Sequence, residues 1–189
     1  GALLTSAKLD AARIRSRLAG TAPEALERLA HLVDTLNSSI ALGRRIIEDL
    51  RPSTLSNLGL VATLEILARD FGSNSGIKAQ CDLQPVRLQP DAELVVYRLV
   101  QESITNIIKY ANAKNVWISL LQKGDRIEIT VRDDGVGFDA SVQPRSAYGL
   151  VGMRYRVEAE GGRFHLTSAP GQGTQIRVSL PESAVMPAE

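Results

Sequence analysis

The stretch "QESITNIIKYANA", residues 101–113, reads as a helix with isoleucines on its inner face and with Glu102, Asn106 and Lys109 as a second, polar row. Residues three, four and seven apart share one face of an α-helix, so the acid, the amide and the amine point into one space. On an arbitrary helix such a row is only the solvated face. Its surroundings in the chain set this one apart.

The helix begins at about Asp91 and runs to Ala111. Two alternating runs follow it, "NVWISLL" (115–121) and "RIEITVR" (126–132), joined by the hairpin signal "QKGD". A further helix, from about Leu150 to Glu160, is stopped by Gly161 and Gly162. "RFHLTS" and "TQIRVSL" read as the last two strands, with "APGQG" as the turn between them. Upstream, "LGLVATLEILARDFG" is a short amphipathic helix with Leu60, Leu64, Leu67 and Phe71 on one side, and it leads into a strand "IKAQCDL". There Cys81 alternates with Ile77, Ala79 and Leu83 and reads as strand packing. Strands and helices mix without regular βαβ alternation, which predicts an α+β fold: one mixed sheet with helices on one face.

The first fifty residues keep a different rhythm. Leu4, Ala7, Ala11, Ile14 and Leu18 step by three and four, and Gly20 supplies a stop. "TAPE" then spaces Thr21 and Glu24 as a capping box, and a second repeat runs Leu26, Leu29, Val33, Leu36, Ile40, Gly43, Ile47 and Leu50 up to "RP". Two helices joined by a short loop form a hairpin whose apolar stripes stay wet in a single copy. Pairing two copies into a dimeric four-helix bundle buries them. The expected organisation is a helical hairpin over 1–52, a second domain over 53–182 and a tail over 183–189.

Composition narrows the function. Of 189 residues 44% are hydrophobic, which fits a globular protein and excludes a disordered or collagen-like one. Lysine and arginine total 22 against 21 acids, a net charge of +1, so no broad field favours nucleic acid or an anionic membrane. One cysteine excludes an internal disulfide and a multi-thiolate metal site, and fits a reducing, cytoplasmic compartment. No apolar run approaches the roughly 18 residues of a membrane span, and any anchor of the parent protein is expected outside this stretch.

Glycines mark the rest of the site. "RDDGVGFD" ends a strand and puts Asp133 and Asp134 just before Gly135 and Gly137. A carboxylate there can accept a hydrogen bond from a ligand amino group, and the glycines let a ligand approach the backbone. "YGLVGMR" holds Gly149 and Gly152 at a helix start, where free N–H groups suit anionic oxygens. "GQGT" brings Gly171, Gly173 and Thr174. Singly these are ordinary turn chemistry; their order is specific. E-x-x-x-N-x-x-K on a helix, then D-x-G-x-G, G-x-x-G and G-x-G-T, resembles the GHKL superfamily of ATP-binding domains with its N box and glycine boxes. "QESITNIIKYANA", "DDGVGF", "GLVGMRYRV" and the "EDLRP" ahead of "LGL" are most similar to sensor histidine kinases of the nitrate-sensor and membrane-fluidity-sensor branch.

The resemblance implies a GHKL (Bergerat-type) α/β sandwich after the hairpin, and it implies roles. Asn106 offers its side-chain oxygen to a Mg²⁺ ion bridging the nucleotide phosphates, and Glu102 holds a metal-bound water or polarises the nucleophile as the catalytic acid-base group. Lys109 meets phosphate charge, and Tyr110 lies beside the sugar or base. Asp133 reads the adenine amine, with Gly135 and Gly137 giving the nucleotide room. Gly149 and Gly152 close the phosphate side, Thr174 supports the adenine end, and "FDASVQPRSAY" forms a lid. ATP and Mg²⁺ are the implied cofactors. The implied partners are a second copy of the chain and the receiver domain of a response regulator of the helix-turn-helix transcription-factor kind, with no direct nucleic-acid contact and no membrane contact from this stretch.

Histidine kinases move the γ-phosphoryl group of ATP to a histidine and then to a receiver aspartate. The chain has two histidines, His31 at an outer heptad position and His165 on a strand, and neither has an adjacent carboxylate. The family's His-Asp motif aligns roughly four residues upstream of Gly1. The expectation is a chain that binds ATP without phosphorylating itself. A phosphatase glutamine has no counterpart, Ala2 standing at the aligned position, and the outward-facing Leu9 is a candidate partner contact. The rival readings are a GHKL ATPase using Glu102 as general base toward water, and a scaffold dimer with a degenerate site.

Overall fold

A computed structural model describes residues 6–7, 9–14, 23–139 and 148–183. The expected helix stop at Gly20, the capping box opening at Thr21, most of the expected lid and the tail beyond Ser183 lie outside the described residues. The chain divides into two compact units, Gly1–Ser53 and Thr54–Glu189.

In the first unit residues 9–14 are helical, and a long helix α1 spans Pro23–Leu50. Ala11 and Leu29 are buried, and Val33, Leu36 and Ile40 are half-buried along the expected stripe. Ile14, expected to face inward, is 48% exposed, and Leu9 and Leu32 are exposed as well. A single hairpin leaves apolar surface of this kind open to water.

The second unit opens with helix α2, Ser53–Ser75, which kinks at Gly59 (φ 79, ψ 176). Thr63 Oγ1 donates to the Gly59 carbonyl at 2.7 Å just after the kink. Leu60, Leu64 and Phe71 are buried as the periodicity requires, and Leu67 packs against the core. Helix α3, Pro90–Asn106, starts with proline in its first turn and with Asp91 and Glu93 facing the positive end of its dipole. The sequence predicts an uninterrupted α-helix to Ala111. Instead α3 widens after Asn106 into a π-helical turn, Ile107–Ala111, closed by Asn112 in the left-handed conformation (φ 48, ψ 40). Helix α4, Tyr148–Ala159, buries Met153 and Val157. It ends in a Schellman pattern, with Gly162 N–H donating to the Val157 carbonyl at 2.9 Å and Gly161 N–H to Glu158 at 3.0 Å.

Five strands, β1 Lys78–Leu83, β2 Asn115–Lys123, β3 Arg126–Asp133, β4 Arg163–Ser168 and β5 Thr174–Pro181, form one sheet in the order β1-β2-β3-β5-β4. Only the β1–β2 pair is parallel, so the sheet is mixed, as expected. Val116, Ile118 and Leu120 stand opposite Asp133, Val131 and Ile129, and Val131 and Ile129 stand opposite Ile176 and Val178. Those apolar side chains are buried with the inner faces of α2, α3 and α4. The next residues along the strands turn to the other face, where the Arg132 guanidinium lies 5.4 Å over the ring of its cross-strand neighbour Trp117. Cys81 departs from its expected packing. It pairs in register with buried Ile118, yet it is exposed, because β1 is the sheet's edge.

Candidate functional site

Asp133 is the last residue of β3, and the strand alternation that buries Ile127, Ile129 and Val131 carries it to the core face, where it is 3% exposed. Its Oδ1 accepts the Gly135 N–H at 2.8 Å, and the Thr174 backbone N–H also donates to the carboxylate. Burial lifts this carboxyl above the ordinary range, the two N–H donors draw it partly back, and the charge of Asp134 pushes it up again. Asp134 faces the opposite way. It is exposed and accepts the backbone N–H groups of Lys114 and Asn115 at 2.8 and 2.9 Å and the Asn115 amide at 2.7 Å. The Asn115 side chain is the main reason its carboxyl lies below the usual range. Asp134 therefore fixes the start of β2 and leaves Asp133 as the cavity's carboxylate.

The cavity holds about 390 Å³. Glu102, Asn106, Lys109 and Tyr110 enter it from α3 and its π turn, Asp133 and Gly137 from the end of β3, Gly149 from α4 and Thr174 from β5. Two of the four glycines given a ligand role, Gly135 and Gly152, lie outside the lining. Gly135 is packed on the backbone of Ala111, whose carbonyl also accepts the Val136 N–H at 2.7 Å. Gly152 faces Arg156, whose Nη1 lies 3.2 Å from where a Cβ would sit. Gly135 thus packs against a lining residue, Ala111, and neither glycine touches the space. Ile107, Val131, Val136, Phe138, Leu150 and Ile176 make up most of the remaining lining. Their apolar alternation carries no sign of it, since the same pattern marks any core strand or helix. An apolar slot with a few convergent polar groups is the usual form of a small-molecule site.

Backbone packs on backbone at the Asp133 end. Gly137 (φ +59) presses on the carbonyls of Ala169 and Gly173, and Gly173 (φ +71) presses on the carbonyl of Asp133. No other residue type fits this close approach in the left-handed conformation. Ser168, which the sequence showed only as the end of a strand, joins the two loops: its Oγ accepts the Phe138 N–H at 2.9 Å and lies 3.0 Å from both the Gly173 carbonyl and Thr174 Oγ1.

At the other end sit Glu102 and Asn106. Neither spends its side chain on a hydrogen bond among the described residues, and Asn106 makes no capping bond to the π turn. The Glu102 carboxylate lies against Gly149, 2.6 Å from the position a Cβ would take there. An amide oxygen beside a carboxylate suits a hard, oxygen-seeking cation, and no cluster of three or more acidic, histidine or cysteine ligands occurs among the described residues. The donors therefore fit Mg²⁺, which keeps waters and substrate phosphates as most of its ligands, better than a metal that needs a full protein cage. His31 and His165 are both exposed, and neither lines the cavity.

Residues 91–184 match the family model of the histidine kinase-, DNA gyrase B- and HSP90-like ATPases, and every residue lining the cavity falls inside that stretch. The segment is similar to this ATPase family and has the GHKL-like α+β fold. By sequence the chain is similar to protein histidine kinases. It is 34% identical over 162 residues to the signal transduction histidine-protein kinase/phosphatase DegS of Brevibacillus brevis, across 84% of this chain and 42% of the relative. It is also 34% identical over 160 residues to the sensor histidine kinase MctS of Rhizobium johnstonii, across 82% of this chain and 34% of the relative. The chain thus spans less than half the length of these relatives. The histidine kinase domain of the blue-light activated histidine kinase of Erythrobacter litoralis shares the fold, with a TM-score of 0.62 at 18% identity over 96% of this chain and 95% of that one.

Proposed function

We propose that the chain is the catalytic core of a two-component sensor histidine kinase, of the nitrate-sensor and membrane-fluidity-sensor branch. It binds Mg-ATP and transfers the γ-phosphoryl group to a histidine of a dimerisation helix, from which it passes to the aspartate of a response regulator. The observation that carries the reading is the convergence of Glu102, Asn106, Lys109, Asp133, Gly137, Gly149 and Thr174 on one cavity. Asp133 accepts from the adenine amine, while Lys109 meets phosphate charge. Asn106 holds Mg²⁺, which supplies charge neutralisation at the phosphates when bound. Glu102, with its carboxylate unengaged at the same end, polarises the acceptor. Gly149 leaves room for that carboxylate.

The exposed apolar residues of the first unit, Leu9, Ile14 and Leu32, support its role as half of a dimeric helical bundle. No helix among the described residues is long and apolar enough to cross a membrane, and the proposed place of action is the cytoplasm. The proposed acceptor is neither His31 nor His165, since neither has an adjacent carboxylate in the sequence to orient its ring. The test incubates this chain with γ-labelled ATP and maps any acid-labile label; none is expected on His31 or His165, and label at either contradicts the assignment. Rapid, sustained ATP hydrolysis by the chain alone would favour Glu102 as a base toward water instead.

A further inference from the structure

Ser168 closes β4 just outside the cavity, and its hydroxyl has more neighbours than protons. The Phe138 N–H donates to Ser168 Oγ at 2.9 Å, the Ser168 hydroxyl donates to the Gly173 carbonyl at 3.0 Å, and Thr174 Oγ1 lies 3.0 Å away. A serine hydroxyl has one proton and two lone pairs. A carbonyl oxygen can only accept, so the Ser168 proton serves Gly173. An amide N–H can only donate, so Phe138 takes one lone pair. The second lone pair is what remains for Thr174, whose hydroxyl must therefore donate to Ser168. With that proton turned away, the Thr174 oxygen offers only lone pairs elsewhere. Asp133, on the same wall, is an acceptor too, held by the N–H groups of Gly135 and of Thr174 itself.

We infer that Ser168 determines base specificity from outside the cavity: by fixing the Thr174 hydroxyl as an acceptor, it makes this end select a nucleobase presenting an amino group and reject one presenting a keto oxygen. The inference rests on the nucleotide reading above. Adenine carries an amino group where hypoxanthine carries a keto oxygen, so ATP and ITP probe the difference. Ser168 acts as a positioning residue, touching Thr174 and Phe138 but no ligand.

The experiment measures the ratio of Mg-ITP to Mg-ATP dissociation constants for the wild type, Ser168→Ala and Ser168→Thr. Freed from Ser168, the Thr174 proton can swing toward a keto oxygen, so Ser168→Ala should lower the ratio about five- to tenfold, the worth of one neutral hydrogen bond, while Ser168→Thr preserves it. In a Thr174→Val background Ser168→Ala should move the ratio no further. Equal weakening of both nucleotides by Ser168→Ala would show a merely structural role and overturn the inference. Should that variant fail to fold by circular dichroism, Thr174→Val decides alone: ATP affinity falls and ITP affinity does not if the inference holds, and equal losses overturn it. A wild type that binds neither nucleotide overturns the nucleotide reading itself, whereas ATP binding with an unmoved ratio removes only the Ser168 assignment.

Discussion

Asp133 and Asp134 are adjacent in sequence and opposite in circumstance. The buried Asp133 carboxyl sits above the ordinary range mainly because burial disfavours its charge. The ligand-free folded chain therefore holds that proton more tightly than the unfolded chain does. Between the ordinary carboxylate range and the raised value, Asp133 contributes stability that is lost as pH rises. A ligand amine bonds the charged form, so nucleotide binding expels the proton and affinity climbs with pH across that window before levelling off. Titrations at a series of pH values should show this, and Asp133→Asn should flatten the profile while weakening ATP by at least about tenfold, as a lost charged hydrogen bond implies. Asp134→Ala is the control. It removes three hydrogen bonds at the start of β2, so it should lower the melting temperature yet leave ATP affinity within about twofold. At this scale the sequence was legible where periodicity speaks. Helical spacing placed Glu102, Asn106 and Lys109 in one space, while only the family resemblance singled out Asp133 over Asp134. Ser168 was illegible because its work depends on a contact across two loops, which no local spacing reveals.

Elements were read well where one period ran unbroken. Strands β2 to β5 follow their alternating runs closely, and β4 coincides with "RFHLTS". The π turn after Asn106 escaped, since a wider turn keeps the same apolar inner residues: Ile107 and Ala111 are buried while Ile108, Lys109 and Tyr110 are exposed. Asn112 tolerates the left-handed conformation that ends the turn. Asn112→Val should cost at least about 1 kcal/mol in denaturant unfolding, and Asn112→Gly close to nothing. Gly137 is under a stricter constraint, because a Cβ there would run into the Ala169 and Gly173 carbonyls as well as straining φ. Gly137→Ala should cost at least about 2 kcal/mol and separate the two loops that hold Asp133 and Thr174. Cys81 was misread for a different reason. Alternation shows which way a side chain points, but whether anything covers it depends on the strand's place in the sheet, and β1 is an edge.

For the whole molecule, the sequence divides at the change from heptad to mixed rhythm near residue 52, and the chain separates into compact units at Ser53. The second unit has a continuous core, whereas the first leaves Leu9, Ile14 and Leu32 exposed. Light scattering at micromolar concentration should give a dimer, and Ile14→Glu should shift it toward monomer by placing a charge in the bundle seam. The account's central claim is narrower: the cavity between α3 and the end of the sheet is a Mg-ATP site read by Asp133 and Asn106. The most direct test is calorimetric titration of the chain with ATP, with and without Mg²⁺, beside Asp133→Ala and Asn106→Ala. The account predicts saturable binding to the wild type, loss of most affinity in Asp133→Ala with or without the metal, and loss of the Mg²⁺-dependent gain alone in Asn106→Ala. No binding of Mg-ATP at millimolar concentration, or binding that neither substitution disturbs, would contradict it.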